Sequence, residues 1–235
     1  MKMKENIEEL NSALSPVDRL AVENIGIGRV LRANTAGFAV GCRVGQLSEP
    51  SFGSLVKAQP VEEREAIYGL IYDMHIDDDP LVRRLVMAED PRPSVIEDQR
   101  NNRLLPVEMS VLTVGYRLGG TIFHGLPPRP PLNLDPVYLC RESTEIREFT
   151  EQTGYLRLIL RAAGDNVPVD QLLVAHLRQI YLLRGEDLVW AKSIIQELIE
   201  LLRNDYDLLV PILEALNTTM PELGAGDQGL GVDDV

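Results

Sequence analysis

What most limits the folds open to this chain is a change of texture near residue 145. Before it, apolar residues come in short runs rich in Val, Ile, Leu and Phe, cut by Gly, Asn and Ser: GIGRVLRA, AGFAVGCRV, FGSLVKA, AIYGLIYDM, PVEMSVLTVGYRL and PVYLCRE. In VEMSVLTV, Val107, Met109, Val111 and Thr113 alternate with Glu108, Ser110, Leu112 and Val114. That two-residue period predicts a strand with one strongly buried face and one mixed face. Asn34 to Gly37 is expected to turn a hairpin, because Asn and Gly tolerate positive φ. About six short strands of this kind predict a small closed barrel, since closure removes exposed edges.

After residue 145 the period becomes helical. YLRLILRAAG stops at Gly164, a natural C-terminal stop. A second helix follows Asp165-Asn166, carries Pro168 in its first turn and runs to about Leu183. Beyond Gly185, DLVWAKSIIQELIELLR sets Leu188, Ala191, Ile194, Ile195, Leu198, Ile199, Leu201 and Leu202 on one wide apolar face. Such a face must bury against another helix, the barrel or another subunit, so Leu188, Ile195, Leu198 and Leu202 are candidate interface residues. A final short helix centres on Leu213, with Pro211 in its first turn or kinking it. The expected class is therefore α+β: a small closed six-stranded β-barrel followed by a C-terminal helical region.

Two excursions interrupt the strands. Residues 77–103 open with three aspartates, and Asp79-Pro80 reads as the start of a short helix, LVRRLVMAE, before a polar loop through Asn101-Asn102. Leu126 to Pro136 holds five prolines and reads as extended, rigid chain. The expected organisation is an N-terminal arm (1–23), in which Ile7, Leu10 and Leu14 have helical spacing; a barrel (24–141) with an insertion (77–103); a helical region (142–216); and a disordered acidic tail (217–235) without Lys or Arg.

The net charge is −13. Nucleic-acid binding draws its affinity largely from neutralised phosphates, so direct binding to DNA or RNA is not expected, and an anionic membrane surface would repel the chain too. Met1 to Leu14 has no apolar run of the signal-peptide kind, and no stretch is long and apolar enough to span a bilayer. The expected location is the cytoplasm, with the only cysteines, Cys42 and Cys140, reduced.

Motifs for catalysis are few. A P-loop needs Gly-Lys followed by Ser or Thr, and none of the four lysines (Lys2, Lys4, Lys57, Lys192) follows a glycine. Gly224, Gly226 and Gly229 match GxGxxG, but a dinucleotide site needs a strand before the motif and a helix after it. GxSxG and HExxH are absent. The one metal candidate is Asp73, His75, Asp77 and Asp78, beside Asp79: carboxylates suit Mg or Ca, and His suits Zn. It lacks calcium-loop spacing, Asp79 is already explained as a helix cap, and a solvated loop is the favoured reading. His124 falls in a Gly-bordered turn; His176, among Leu172, Leu173 and Leu177, reads as a packed residue. Arg83 and Arg84, with Arg92, Arg100 and Arg103, are offset by Asp79, Glu89, Asp90, Glu97 and Asp98, a mixed surface suited to protein docking. Asn217-Thr218-Thr219 matches a glycosylation acceptor, which means nothing without export.

The strands from Ile27 to Val44 (IGRVLRANTAGFAVGCRV), Phe52 to Ala58, Ile67 to Met74, Leu105 to Tyr116 and Pro128 to Leu139 resemble the HAS-barrel. That is the N-terminal domain shared by HerA-type DNA-translocating ATPases and rotary ATP synthase subunits. The family's motor domain, with its P-loop, does not follow here; helices do. The resemblance implies a role in subunit assembly and in docking partner proteins, including a nuclease, and it carries over no catalytic residue and no cofactor. The expected function is a non-enzymatic oligomerisation or adaptor protein, self-associating or docking to a HerA-like ATPase or its partner nuclease. The alternatives are a metal-dependent hydrolase or nuclease centred on Asp73–Asp79, and a regulatory barrel that binds a small molecule.

Overall fold

A computed structural model describes residues 25–43, 49–60, 65–76, 80–87, 92–102, 106–164 and 166–220. The expected arm and most of the tail lie outside these residues, as do Asp77, Asp78 and Asp79. Seven strands form one sheet: β1 (Ile25–Ala33), β2 (Gly37–Arg43), β3 (Leu55–Ala58), β4 (Glu65–Ile76), β5 (Pro106–Leu118), β6 (Thr121–Phe123) and β7 (Pro136–Leu139). They run in the order β2-β1-β7-β3-β4-β5-β6, and a further β2–β5 pairing closes the first six into a ring. Every pairing is antiparallel. The chain is thus a closed six-stranded barrel with a C-terminal region of several helices, as its alternation and its later helical period predict.

The long strands make closure possible. β5 pairs with β2 over Pro106–Leu112 and with β4 over Val107–Leu118, so it serves two neighbours at once. Two irregularities in β4, at Tyr68/Gly69 and Ile71/Asp73, bend it around the ring. Beyond the ring, β5 turns through Gly119 and Gly120 (φ 57° and 90°), the doubly left-handed turn that only such residues accept cheaply, and pairs with the short β6.

The two faces of the barrel wall build two cores. Val30, Val40, Val56, Ile71, Met109 and Val111 point inward and fill the interior, so the barrel is packed rather than hollow. Leu55, Tyr68, Leu70 and Val114 face outward and join the helical core. All four residues of β3 are therefore buried, which hides the alternation that would mark it as a strand.

Between β4 and β5 lie α1 (Pro80–Val86) and α2 (Pro93–Asn102). The second corrects the expected polar loop: Pro93 takes the first helical position, where its missing N–H costs nothing. After the barrel come α3 (Ser143–Thr150), α4 (Tyr155–Arg161), α5 (Val169–Leu183), α6 (Leu188–Leu201) and α7 (Tyr206–Thr219). α5 is the hub, packed against α3, α4, α6 and α7. Asp187 Oδ1 accepts from Trp190 N at 3.0 Å and Asp205 Oδ1 from Leu208 N at 3.2 Å, capping α6 and α7. The last helix is 14 residues long with Pro211 inside it, and Met220 beyond it is buried, so ordered chain passes the expected limit at residue 216. No helix among the described residues is long and apolar enough to cross a membrane.

Candidate functional site

The barrel meets the helices through buried polar chemistry. Lys57 on β3 points outward and donates from Nζ to both carboxylate oxygens of Glu145 on α3, at 2.8 Å each. Tyr68 on β4 donates its hydroxyl to Glu145 Oε1 at 2.9 Å. The side chains of Lys57 and Glu145 are only 11% and 9% exposed, so the pair is nearly dry. Burial, then the neighbouring carboxylate, pushes the Tyr68 hydroxyl far above its ordinary pKa, and it stays a donor. Tyr68 also packs on Phe149 (ring centroids 4.8 Å apart), which packs on Tyr155 (5.3 Å). This group fixes α3 to the barrel wall.

A second tie runs through α5. His176 is fully buried, its Nδ1 lies 3.1 Å from Gly53 O, and its Nε2 has no hydrogen-bond partner. Burial outweighs the carbonyl contact and lowers its pKa to about 4, so the ring is neutral and Nδ1–H is the donor. Gly53 (φ 83°) makes this approach possible, because a Cβ there would lie 2.8 Å from His176 N. Gln179 and Ser54 extend the tie through a 3.0 Å side-chain bond. At the corner of α3, α5 and α6, Arg184 donates to Thr150 Oγ1 (2.9 Å) and Asp187 Oδ2 (3.1 Å) and lies 5.0 Å from the Trp190 ring. These titratable groups tie the helices to the barrel wall and to one another.

Cavities lie among the described residues as well. One, about 340 Å³, lies at a barrel end between Arg32, Asn34, Tyr72 and Ser110 on one side and Ala162 and Val167 on the other. Asn34 does close the hairpin there, though not through left-handed φ: its Oδ1 accepts from Ala36 N (2.8 Å) and Gly37 N (3.0 Å). Another cavity, about 240 Å³, is lined by Leu55, Leu139, Cys140, Ile180, Leu182 and Leu183, with Glu49 and Arg141 paired among its lining residues. Burial raises the Cys140 thiol pKa well above normal, which disfavours the thiolate. Cys42 and Cys140 are both free.

Of the candidate metal residues, Asp77 and Asp78 lie outside the described residues. Asp73 and His75 are exposed at the end of β4, opposite Ser110 and Glu108. Glu108 is bound by Arg32, whose guanidinium holds its carboxyl below the usual range. Among the described residues, no group of three or more His, Cys, Asp or Glu side chains is placed to hold a metal ion. His124 packs edge-on to Phe149 and Tyr155, with Nε2 2.9 Å from Phe149 O.

The candidate interface residues divide. Leu198 and Leu202 are buried in the helical core, Ile195 is half-buried, and Leu188 is exposed. Arg83 and Arg84 are exposed on α1. The most exposed apolar side chain on α6 is Val189 (82%), which the helical pattern did not single out because it lies off the apolar face.

A further surface has no signature in the sequence. In the proline-rich segment before β7, Leu132 and Leu134 are 69% and 68% exposed. Leu134 has φ 71°, a left-handed conformation that costs a branched L-residue roughly 1–2 kcal/mol. The backbone around it is sewn down: Leu134 N donates to Val30 O (2.8 Å), Val30 N to Asp135 O (3.0 Å), and Asp135 Oδ2 accepts from Leu132 N (2.8 Å). Arg29 Nη1 donates to Leu134 O at 2.8 Å. A rigid loop thus holds two leucines out in water at a cost in strain. Comparison with protein-family models and with curated proteins finds no match to this chain.

Proposed function

We propose that this chain is a non-enzymatic assembly or adaptor protein, which self-associates or docks to a HerA-like ATPase or its partner nuclease. One observation carries the reading: large apolar side chains stay exposed on rigidly held backbone, Val189 at the start of α6 and Leu132 and Leu134 beside the barrel. Exposed apolar groups on pre-organised backbone mark contact surfaces, because little conformational freedom remains to be lost on docking. The resemblance to HAS-barrels supplies the class of partner. Purification of the tagged chain from its own cells tests this. The expected result is a complex of several copies, or one retaining a P-loop ATPase or a nuclease. A single copy that retains neither contradicts it.

The 340 Å³ cavity favours a second reading, a barrel that binds a small polar molecule between Arg32, Tyr72 and Ser110. A ligand that binds only the folded state raises stability, so a nucleotide panel in thermal unfolding tests it. No shift with any member counts against the cavity as a nucleotide site.

A further inference from the structure

We propose that the Leu139–Leu183 recess seats the chain's own N-terminal segment, with Ile7, Leu10 and Leu14 as the apolar face that enters it. This goes beyond the assembly reading and stands whether or not copies associate. The geometry begins at the start of β1. Its first residue, Ile25, pairs with Leu139, the last residue of β7. Paired residues on antiparallel strands lie about 5 Å apart. Leu139, Cys140 and Arg141 all line the recess. Residues 1–24, which lie outside the described residues, therefore join the barrel at the rim of the recess.

The recess asks for an apolar occupant. Its polar lining groups are spent on one another: Glu49 pairs with Arg141, Ser54 Oγ donates to Gln179 Oε1 at 3.0 Å, and Gln179 Nε2 donates to Ser51 Oγ at 3.2 Å. What they leave is hydrocarbon, and at the end of α5 Leu182 and Leu183 are still 54% and 37% exposed. Ile7, Leu10 and Leu14 stand at i, i+3 and i+7, the spacing with which one face of a helix enters an apolar groove. In helical form the stretch from Ile7 to Leu14 is about 10 Å long. The ten residues that follow, 15–24, extend to at most about 33 Å, ample for a recess that begins beside Ile25. A tether this short holds the face near the recess at an effective concentration on the order of millimolar. Any outside helix of the same pattern must displace the segment, which thereby controls entry to the recess.

Two measurements on the full-length chain test this. The first is disulfide closure in Leu10→Cys/Leu183→Cys under mild oxidation, with Leu10→Cys/Leu132→Cys as the control; the native Cys42 and Cys140 are buried. A disulfide needs Cα atoms within about 7 Å, so closure reports docking. The expected result is closure within one chain, at least about tenfold faster than in the control. A bond between two chains overturns the proposal and gives the recess to a second copy; closure no faster than the control overturns docking. The second is cleavage after Glu8 and Glu9 by a glutamate-specific protease, read by mass, in wild type and in Leu182→Asp/Leu183→Asp, with folding checked by circular dichroism. Cleavage follows the population of the undocked form, so the variant is expected to be cut about tenfold faster. Equal rates overturn the proposal. If the Asp variant misfolds, Leu182→Ser/Leu183→Ser replaces it, with the same two outcomes.

Discussion

Removing Glu145 is the sharpest test of how the barrel and helices are joined. Glu145→Ala leaves the Lys57 ammonium, whose side chain is 11% exposed, without its carboxylate, and takes the acceptor from Tyr68. Breaking a buried pair by deleting one member typically costs about 3–5 kcal/mol, because the remaining charge is stranded in low dielectric. For a chain of this size each 1 kcal/mol lowers Tm by roughly 2–4 °C, so the expected fall is about 6–20 °C. Replacing both charges, as in Lys57→Met/Glu145→Leu, strands no charge, though the Tyr68 hydroxyl still loses its acceptor, and is expected to recover part of that loss. Urea and thermal unfolding of wild type, both single variants and the double variant complete the cycle. The reasoning is refuted if Glu145→Ala costs less than about 1 kcal/mol, the range of an exposed pair, or if the double variant is as unstable as the single.

Three further outcomes follow from the same structure. His176 has a folded pKa of about 4 against an ordinary 6.5, so the unfolded chain binds the extra proton between those values; stability is full above pH 6.5 and falls as pH drops toward 4, and His176→Gln is expected to flatten that slope in unfolding curves. Asp205→Ala removes the side-chain acceptor at the start of α7 and is expected to cost about 0.5–2 kcal/mol in urea unfolding, whereas no loss would mean that the cap is idle. Leu134→Gly relieves left-handed strain, so thermal unfolding is expected to show unchanged or higher stability while light scattering shows weaker assembly; a fall in both would mean that Leu134 is structural.

The barrel and the helical region were legible because their periods differ. Six strand runs matched six strands of the ring, and VEMSVLTV showed its buried face directly. The seventh strand, Thr121–Phe123, was missed because three residues carry no readable period. The helix Pro93–Asn102 was missed because its sequence, PSVIEDQRNN, is too polar to show an apolar stripe. The junction was less legible. Lys57 between Val56 and Ala58 was an available clue, since a lysine flanked by apolar strand residues asks for a partner, but nothing in the chain named Glu145, 88 residues away. Surface display was hardest to read. A left-handed leucine looks like any other leucine, and Val189 falls beside the helical stripe instead of on it.

The central claim is that this chain works by assembly, and the most direct measurement is its mass in solution by light scattering across a range of concentrations, with any co-purified protein identified. The account predicts a species of two or more copies, or a stable complex with a P-loop ATPase or nuclease. A single chain at every concentration, bound to neither, would contradict it.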